Sequence, residues 1–189
     1  MIHDFDRKLA FSMGEREDVD VDIIRQAIAG CVTVRKTDPE IDRLGVDYMA
    51  VLRGGTVIGI DAKAREKGAS RFWKHGEPEL ALETWSVVGA GRWKGKCGWT
   101  LSESSRADYI LFTFDAEDSD RFYLLPFHQL RTAFRRHYPT WAKRYQKKRQ
   151  YSNGWESEAI FVPVSVVLDA VTAEMSITKG TKHDHYQTA

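Results

Sequence analysis

Cysteine is almost absent from this chain. Only Cys31 and Cys97 occur among 189 residues, too few for a disulfide-stapled scaffold, and no CxxC or Cys/His spacing makes a zinc site. Both read as free thiols of a reducing compartment. Long apolar runs are missing too: no stretch approaches the roughly 18 apolar residues a spanning helix requires. The opening Met1-Ile2-His3-Asp4-Phe5-Asp6 lacks a basic segment followed by an apolar run, so it does not read as a signal peptide. A cytoplasmic location is the resulting expectation. Nor does either sign of charge dominate, since 28 Lys+Arg face 27 Asp+Glu.

That balance conceals segregation. Residues 1–47 carry eleven acids against seven Lys/Arg, whereas residues 131–149 carry eight Lys/Arg and no acid. Such blocks say more about partners than the total does. The hydrophobic fraction of 42% and charged fraction of 29% are those of an ordinary globular protein, and the length suits one domain. We expect that domain over residues 1–176, with residues 177–189 as a frayed tail.

Apolar residues recur at helical spacing over Asp4–Phe11 and Val19–Ala29, and Gly30 is a natural stop. Beyond Asp38-Pro39 the pattern changes. Val46–Leu52 and Val57–Ala62 are short β-branched runs around Arg53-Gly54-Gly55-Thr56, which predicts a hairpin. Leu80–Val88, Tyr109–Phe114, Phe122–Leu125 and Ala159–Val162 read as further strands. Helices are expected from Pro126 to about His137 and over Pro163–Ala173, with residues after Ser176 frayed. The architecture implied is α/β, a mixed sheet flanked by helices with a strand and a helix added at the C-terminus.

The hairpin places Asp47 early on one strand and Asp61-Ala62-Lys63 at the end of the next. Side chains two apart on a strand face the same way, so Asp61 and Lys63 should point together. If Val46, Tyr48 and Ala50 pack to the other side, the Asp47 carboxylate approaches that of Asp61. Two close carboxylates repel unless a cation lies between them, and hard oxygen donors suit Mg²⁺ or Mn²⁺. Such a cation polarises phosphoryl oxygens and acidifies water, and a neighbouring ammonium, Lys63, can orient the attacking water or neutralise developing charge.

Asp47 followed by Asp61-Ala62-Lys63 resembles the PD-(D/E)XK nuclease superfamily, in which an acid on one strand precedes a [DE]-x-K on the next. Gly14-Glu15, after Lys8-Leu9-Ala10, is similar to the glutamate those nucleases take from the first helix. The likeness runs from about Phe5 to Arg65 and is greatest to small endonuclease-like and resolvase-like members. Gly98-Trp99-Thr100-Leu101 and Ala107-Asp108-Tyr109-Ile110-Leu111-Phe112 also look like phage-borne members. The resemblance implies a restriction-endonuclease-like αβββαβ core and Mg²⁺-dependent hydrolysis of phosphodiesters, with Mn²⁺ as a substitute. Glu15, Asp47, Asp61 and the Ala62 backbone carbonyl would hold the metal, and Lys63 would be the catalytic lysine. The proline before the first acid is absent, and Asp61 stands where Glu is commoner.

The triplet alone is uninformative, because Asp6-Arg7-Lys8 satisfies it on an expected helix. Context separates the two, and the bland alternative for Asp61 and Lys63 is an ion pair at a strand end. Glu17 can replace Glu15 if the helix register differs, and Glu83 is a further candidate ligand or water positioner. For nucleic acid, Arg131, Arg135, Arg136, Lys143, Arg144, Lys147, Lys148 and Arg149 interleave with Phe134, Tyr138, Trp141, Tyr145 and Tyr151. Cations suit a phosphate backbone and aromatic faces suit unpaired bases. The plain alternative is a solvated helix face whose aromatics pack inward. Arg71, Trp73 and Lys74, directly after the motif, are further contact candidates, as is the Arg92-Trp93-Lys94-Gly95-Lys96 loop.

The six histidines lack zinc-ligand spacing, which disfavours a histidine-based hydrolase. The partner expected is DNA, with RNA and a homodimer left open. A non-cleaving nucleic-acid-binding module of the same fold is the alternative function, and an unrelated α/β protein the third reading.

Overall fold

A computed structural model describes residues 17–65, 74–88, 95–114, 121–152 and 155–181. The chain is of mixed α/β class and divides into two compact units, residues 1–69 with 104–124 and residues 70–103 with 125–189. Among the described residues no helix is long and apolar enough to cross a membrane.

In the first unit, helix α1 (Glu17–Ala27) carries Glu17, Asp18 and Asp20 in its first turn, where acids favour the helix dipole. It ends before Gly30, whose φ of 77° is the left-handed conformation glycine adopts freely. Strand β1 (Cys31–Lys36) follows. Asp38 then caps a single turn, α2 (Pro39–Asp42), accepting hydrogen bonds from the Glu40 and Ile41 amides at 3.0 Å, with Pro39 at the start. Gly45 reverses the chain with φ 73°, and a Cβ there would stand 2.8 Å from Ser105 Oγ. The expected hairpin follows as β2 (Tyr48–Leu52) and β3 (Val57–Arg65).

These strands join β6 (Tyr109–Phe114) and β7 (Arg121–Pro126) in the order β1-β2-β3-β6-β7. β1 and β3 pair antiparallel with β2, while β6 is parallel to β3, so the sheet is mixed. Ile24 of α1 is fully buried with Val34, Tyr48, Ala50, Ile60 and Leu111, which gives this unit its core.

The second unit holds a four-stranded sheet, β5-β4-β9-β8, from β4 (Glu79–Val87), β5 (Lys96–Cys97), β8 (Gln146–Ser152) and β9 (Trp155–Pro163). Leu80, Leu82, Ile160 and Val162 share one face of β4 and β9 and are fully buried. Helices α3 (Phe127–Arg144) and α4 (Val164–Thr181) pack on each other and on this sheet. The Glu77 carboxylate starts α4 by accepting from the Ser165 amide at 3.0 Å and its hydroxyl at 2.7 Å.

Several sequence expectations need correction. Pro126 precedes α3 rather than opening it, and the helix runs to Arg144, through Pro139, because Trp141 and Tyr145 beyond it are buried. Residues after Ser176 are not frayed at once, since α4 continues to Thr181. Strands β1 and β8 were not expected. Among the described residues, β4 and β5 but no helix lie between β3 and β6. The helix expected over Asp4–Phe11 lies outside the described residues.

Candidate active site

The geometry begins with a strand that is one residue too short. β2 starts at Tyr48, yet its antiparallel partner β3 continues to Arg65. The regular register ends with Tyr48 opposite Ile60, and Asp47 lies just before it, next to the Ile60-Asp61-Ala62 segment. The Asp47 amide still donates to the Ile60 carbonyl at 2.9 Å. Where the ladder stops, the side chain takes over, and Asp47 Oδ2 accepts a 2.7 Å hydrogen bond from the Ala62 amide. Thr37 fixes the segment from behind: its amide donates to the Asp47 carbonyl at 2.9 Å, and its hydroxyl to the Val46 carbonyl.

Val46, Tyr48 and Ala50 are buried as expected, which leaves Asp47 with the alternate set. Asp61 is 2% exposed, and Lys63, two residues on and on the same face, pairs with its Oδ1 at 2.5 Å. Parallel pairing with β6 places Ile110 beside Asp61 and Phe112 beside Lys63, both buried. Two neighbouring carboxylates repel each other unless a cation intervenes. Burial first, then the charge of Asp61, pushes the Asp47 carboxyl above the usual carboxylate range; the Ala62 amide, Lys63 and Asp42 act the other way.

Asp42 is a member the sequence reading missed. The α2 turn and the Gly45 reversal return it to the neighbourhood of Asp47, so that each carboxyl bears on the other's titration. Burial first, then the nearby Asp47 carboxyl, push the Asp42 carboxyl up, while Lys63 and Lys36 pull it down. The signal lay in Asp38-Pro39, a helix start, and Gly45, a reversal: together they fold the intervening turn back onto Val46-Asp47.

Glu15 lies outside the described residues, as do Arg71, Trp73 and Arg92-Trp93-Lys94. Glu17, the alternative helical acid, opens α1 and pairs with Lys36 at 3.4 Å. Its charge, with those of Asp20 and Asp47, is felt by the Tyr48 hydroxyl, which donates to Asp20 Oδ2 at 3.3 Å. Burial first, then these acids, drive the Tyr48 pKa strongly upward. Among the described residues no set of three or more His, Cys, Asp or Glu side chains is grouped as a metal site requires. Asp47 and Asp61 are the neighbouring carboxylates here, the charge of Asp61 bearing on Asp47.

Glu83, in the second unit, is committed elsewhere: its Oε2 accepts from Ser86 Oγ at 2.8 Å and from the Trp99 amide at 3.1 Å, fixing the turn after β5. Lys74 is exposed, and its amide donates to Glu79 Oε1 at 3.3 Å. Much of the basic tract is paired within the chain. Arg131 donates to the Ser102 carbonyl and lies over Phe127; Arg135 pairs with Glu103 and Arg136 with buried Glu174. Lys147 and Arg149 pair with buried Glu158, and Lys148 lies over the Phe161 ring. Lys143 and Arg144 are exposed and make no ion pair among the described residues. Phe134, Trp141 and Tyr145 are buried, so the inward-packing alternative holds for them, whereas Tyr151 is 76% exposed.

Cys31 and Cys97 are free thiols. Burial, with the nearby charges of Glu83 and Glu103, pushes the Cys97 thiol up despite Arg135, away from nucleophilic use. No protein-family model, curated protein or solved structure matches the chain.

Proposed function

We propose that this chain is a divalent-metal-dependent nuclease of PD-(D/E)XK type that hydrolyses phosphodiester bonds in DNA. The observation that carries the reading is the closeness of Asp47, on the Ala62 amide just before β2, to Asp61 of β3, with Lys63 on the Asp61 carboxylate. The order α1-β1-β2-β3 with β6 parallel to β3 is compatible with the first part of a restriction-endonuclease-like core. Among the described residues no crossover helix lies between β3 and β6, which departs from it.

The donor set suits Mg²⁺ or Mn²⁺: two aspartates offer hard oxygens, and their mutual repulsion is what a cation relieves. Glu15 and the Ala62 carbonyl complete the ligands that the resemblance supplies. A bound divalent cation contributes Lewis-acid polarisation of the phosphoryl group and a more acidic water. The chain does the rest. Asp47 is held by the Ala62 amide, so one oxygen is fixed and the other is left to bind. Lys63 is positioned by buried Asp61 to meet charge developing on the phosphate.

A panel of linear and branched DNAs, with and without Mg²⁺ or Mn²⁺, tests the reading. Metal-dependent cleavage is expected, with a loss of about 100-fold or more in Lys63→Ala and in Asp61→Ala. Full cleavage by both variants would refute the assignment. A second reading rests on the Asp47–Ala62 bond, which alone could explain Asp47 as a strand-end cap: salt-dependent DNA binding without cleavage under either metal would favour a non-cleaving module.

A further inference from the structure

We propose that Arg106 is a phosphate-positioning residue that holds a DNA backbone phosphate flanking the scissile one, on the face of the sheet that carries Asp61 and Lys63. This rests on the nuclease reading and adds to it a residue with no place in the Asp-Asp-x-Lys pattern. The strand period fixes the face. Gly59, Asp61 and Lys63 alternate along β3 with Ile60, which is buried with Ile24 of α1, so the three lie on the side of the sheet away from α1. A Cβ on Gly59 would point to that side, and it would stand 3.4 Å from the Arg106 carbonyl. The Arg106 backbone therefore lies over the face of Asp61, one pleat along β3 from it.

The segment is anchored from several directions. The Arg106 amide donates to the Leu44 carbonyl at 2.8 Å, which ties it to the stretch leading into Asp47. Two residues on, the Asp108 amide donates to the Gly59 carbonyl at 2.8 Å, and Asp108 Oδ2 accepts from the Gly59 amide at 2.7 Å. Just before it, Ser105 Oγ lies 2.8 Å from where a Cβ on Gly45 would stand, so Gly45 and Gly59 both leave room that this segment fills. The Arg106 side chain takes no part in these anchors: the residue is exposed and makes no ion pair among the described residues. Lys63, by contrast, is tied at 2.5 Å to the buried Asp61 carboxylate. An anionic backbone approaching the aspartates needs a cation not already committed to one of them, and a guanidinium offers a planar fork that matches two phosphate oxygens. Residues two apart on a strand are separated by about 7 Å. That is two nucleotide steps at about 3.4 Å each, so the phosphate held by Arg106 stands about two nucleotides from the one under attack. No covalent step is involved.

The test compares wild type with Arg106→Ala, Arg106→Lys and, as a control, Arg53→Ala, which removes an exposed cation from the turn between β2 and β3. A labelled DNA duplex is titrated by fluorescence anisotropy with Ca²⁺ present at several salt concentrations, and kcat and KM for cleavage are measured with Mg²⁺. Single phosphates of the duplex are also replaced in turn by neutral methylphosphonates. Arg106→Ala is expected to raise Kd and KM about 10-fold and to reduce the salt slope by about 1, with kcat and Tm little changed. Arg106→Lys, which keeps the charge without the fork, recovers the slope and part of the affinity, whereas Arg53→Ala alters neither. One methylphosphonate, about two nucleotides from the cut, weakens wild-type binding to the same degree and has no further effect in Arg106→Ala. If wild type cleaves but Arg106→Ala keeps its Kd, KM and salt slope, or responds to every methylphosphonate as wild type does, the Arg106 role is overturned and the nuclease reading stands. If wild type binds without cleaving, the nuclease reading falls and the anisotropy series still decides for or against Arg106. If it neither binds nor cleaves, both fall.

Discussion

Asp47 is asked to do two things that conflict. Its carboxylate replaces a missing strand residue by accepting from the Ala62 amide, and it does so within reach of the Asp61 charge. Because burial and Asp61 raise its pKa in the folded state, the folded chain holds that proton more tightly than the unfolded chain. Without metal, this contribution to stability is fullest below the ordinary carboxylate range, about pH 4. It declines as pH rises through the raised value, then levels off. Asp42 acts in the same direction. Asp47→Asn keeps an oxygen for the Ala62 amide and removes the charge, so in EDTA at pH 7 it should melt higher, by about 1 kcal/mol of stability, while losing cleavage. Mg²⁺ or Mn²⁺ should raise the wild-type Tm and leave the variant's unchanged. Thermal melts from pH 4 to 8 with and without metal check both, and a variant that melts lower in EDTA would show Asp47 to be purely structural.

At the level of elements, β8 shows most clearly what holds the second unit together. Gln146-Lys147-Lys148-Arg149-Gln150-Tyr151 has no apolar alternation, yet it forms a strand because β9 presents Glu158, 4% exposed, to its cations. Burial alone would raise the Glu158 carboxyl, but bonds from Arg149, Lys147 and the Thr84 hydroxyl outweigh it and hold the carboxyl below the usual range. Glu158→Ala should cost about 2 kcal/mol in urea unfolding and loosen β8 to hydrogen exchange. Removing Arg149 alone should do less, since Lys147 and Thr84 remain; equal losses would mean Glu158 matters through Arg149 only. Near β5 the backbone is the constraint. A Cβ at Gly98 would collide with the Glu83 carbonyl, so Gly98→Ala should destabilise that turn and the Glu83 bond to Trp99.

The same elements explain what could be read in advance. Hairpin β2–β3 was legible because its β-branched runs alternate around Gly54-Gly55, and Asp47, Asp61 and Lys63 came with it. β8 was not, because an edge strand stabilised by charges looks like a solvated helix tail in sequence. β1 sits directly after a helix stop and shows little alternation, since it lies at the sheet edge with Val32 59% exposed. Asp42 was missed because its place depends on a reversal at Gly45 rather than on any strand or helix period. The full extent of α3 was hidden by Pro139, where a helix would ordinarily be expected to end.

For the whole molecule, the charge segregation seen in the sequence becomes, under the proposed function, a question of which cations remain for DNA. Eight Lys/Arg over residues 131–149 suggest a large electrostatic footprint, but Arg135, Arg136, Lys147 and Arg149 already answer acids of their own unit. Neutralising such a cation removes a structural pair as much as a phosphate contact. Lys143 and Arg144, on the last turn of α3 and without an ion pair among the described residues, are the members through which the tract should act on DNA. The double variant Lys143→Glu/Arg144→Glu should therefore weaken binding of every sequence alike and flatten the salt dependence by about 2 in slope. Arg136→Ala should instead lower stability by exposing the demand of Glu174 for a partner, with less change in salt slope. Anisotropy titrations across a salt series, paired with thermal melts, separate the two outcomes. If the double variant keeps the wild-type slope while Arg136→Ala loses it, the paired cations are the ones that open to bind DNA, and the ion pairs of α3 are a reserve rather than a scaffold.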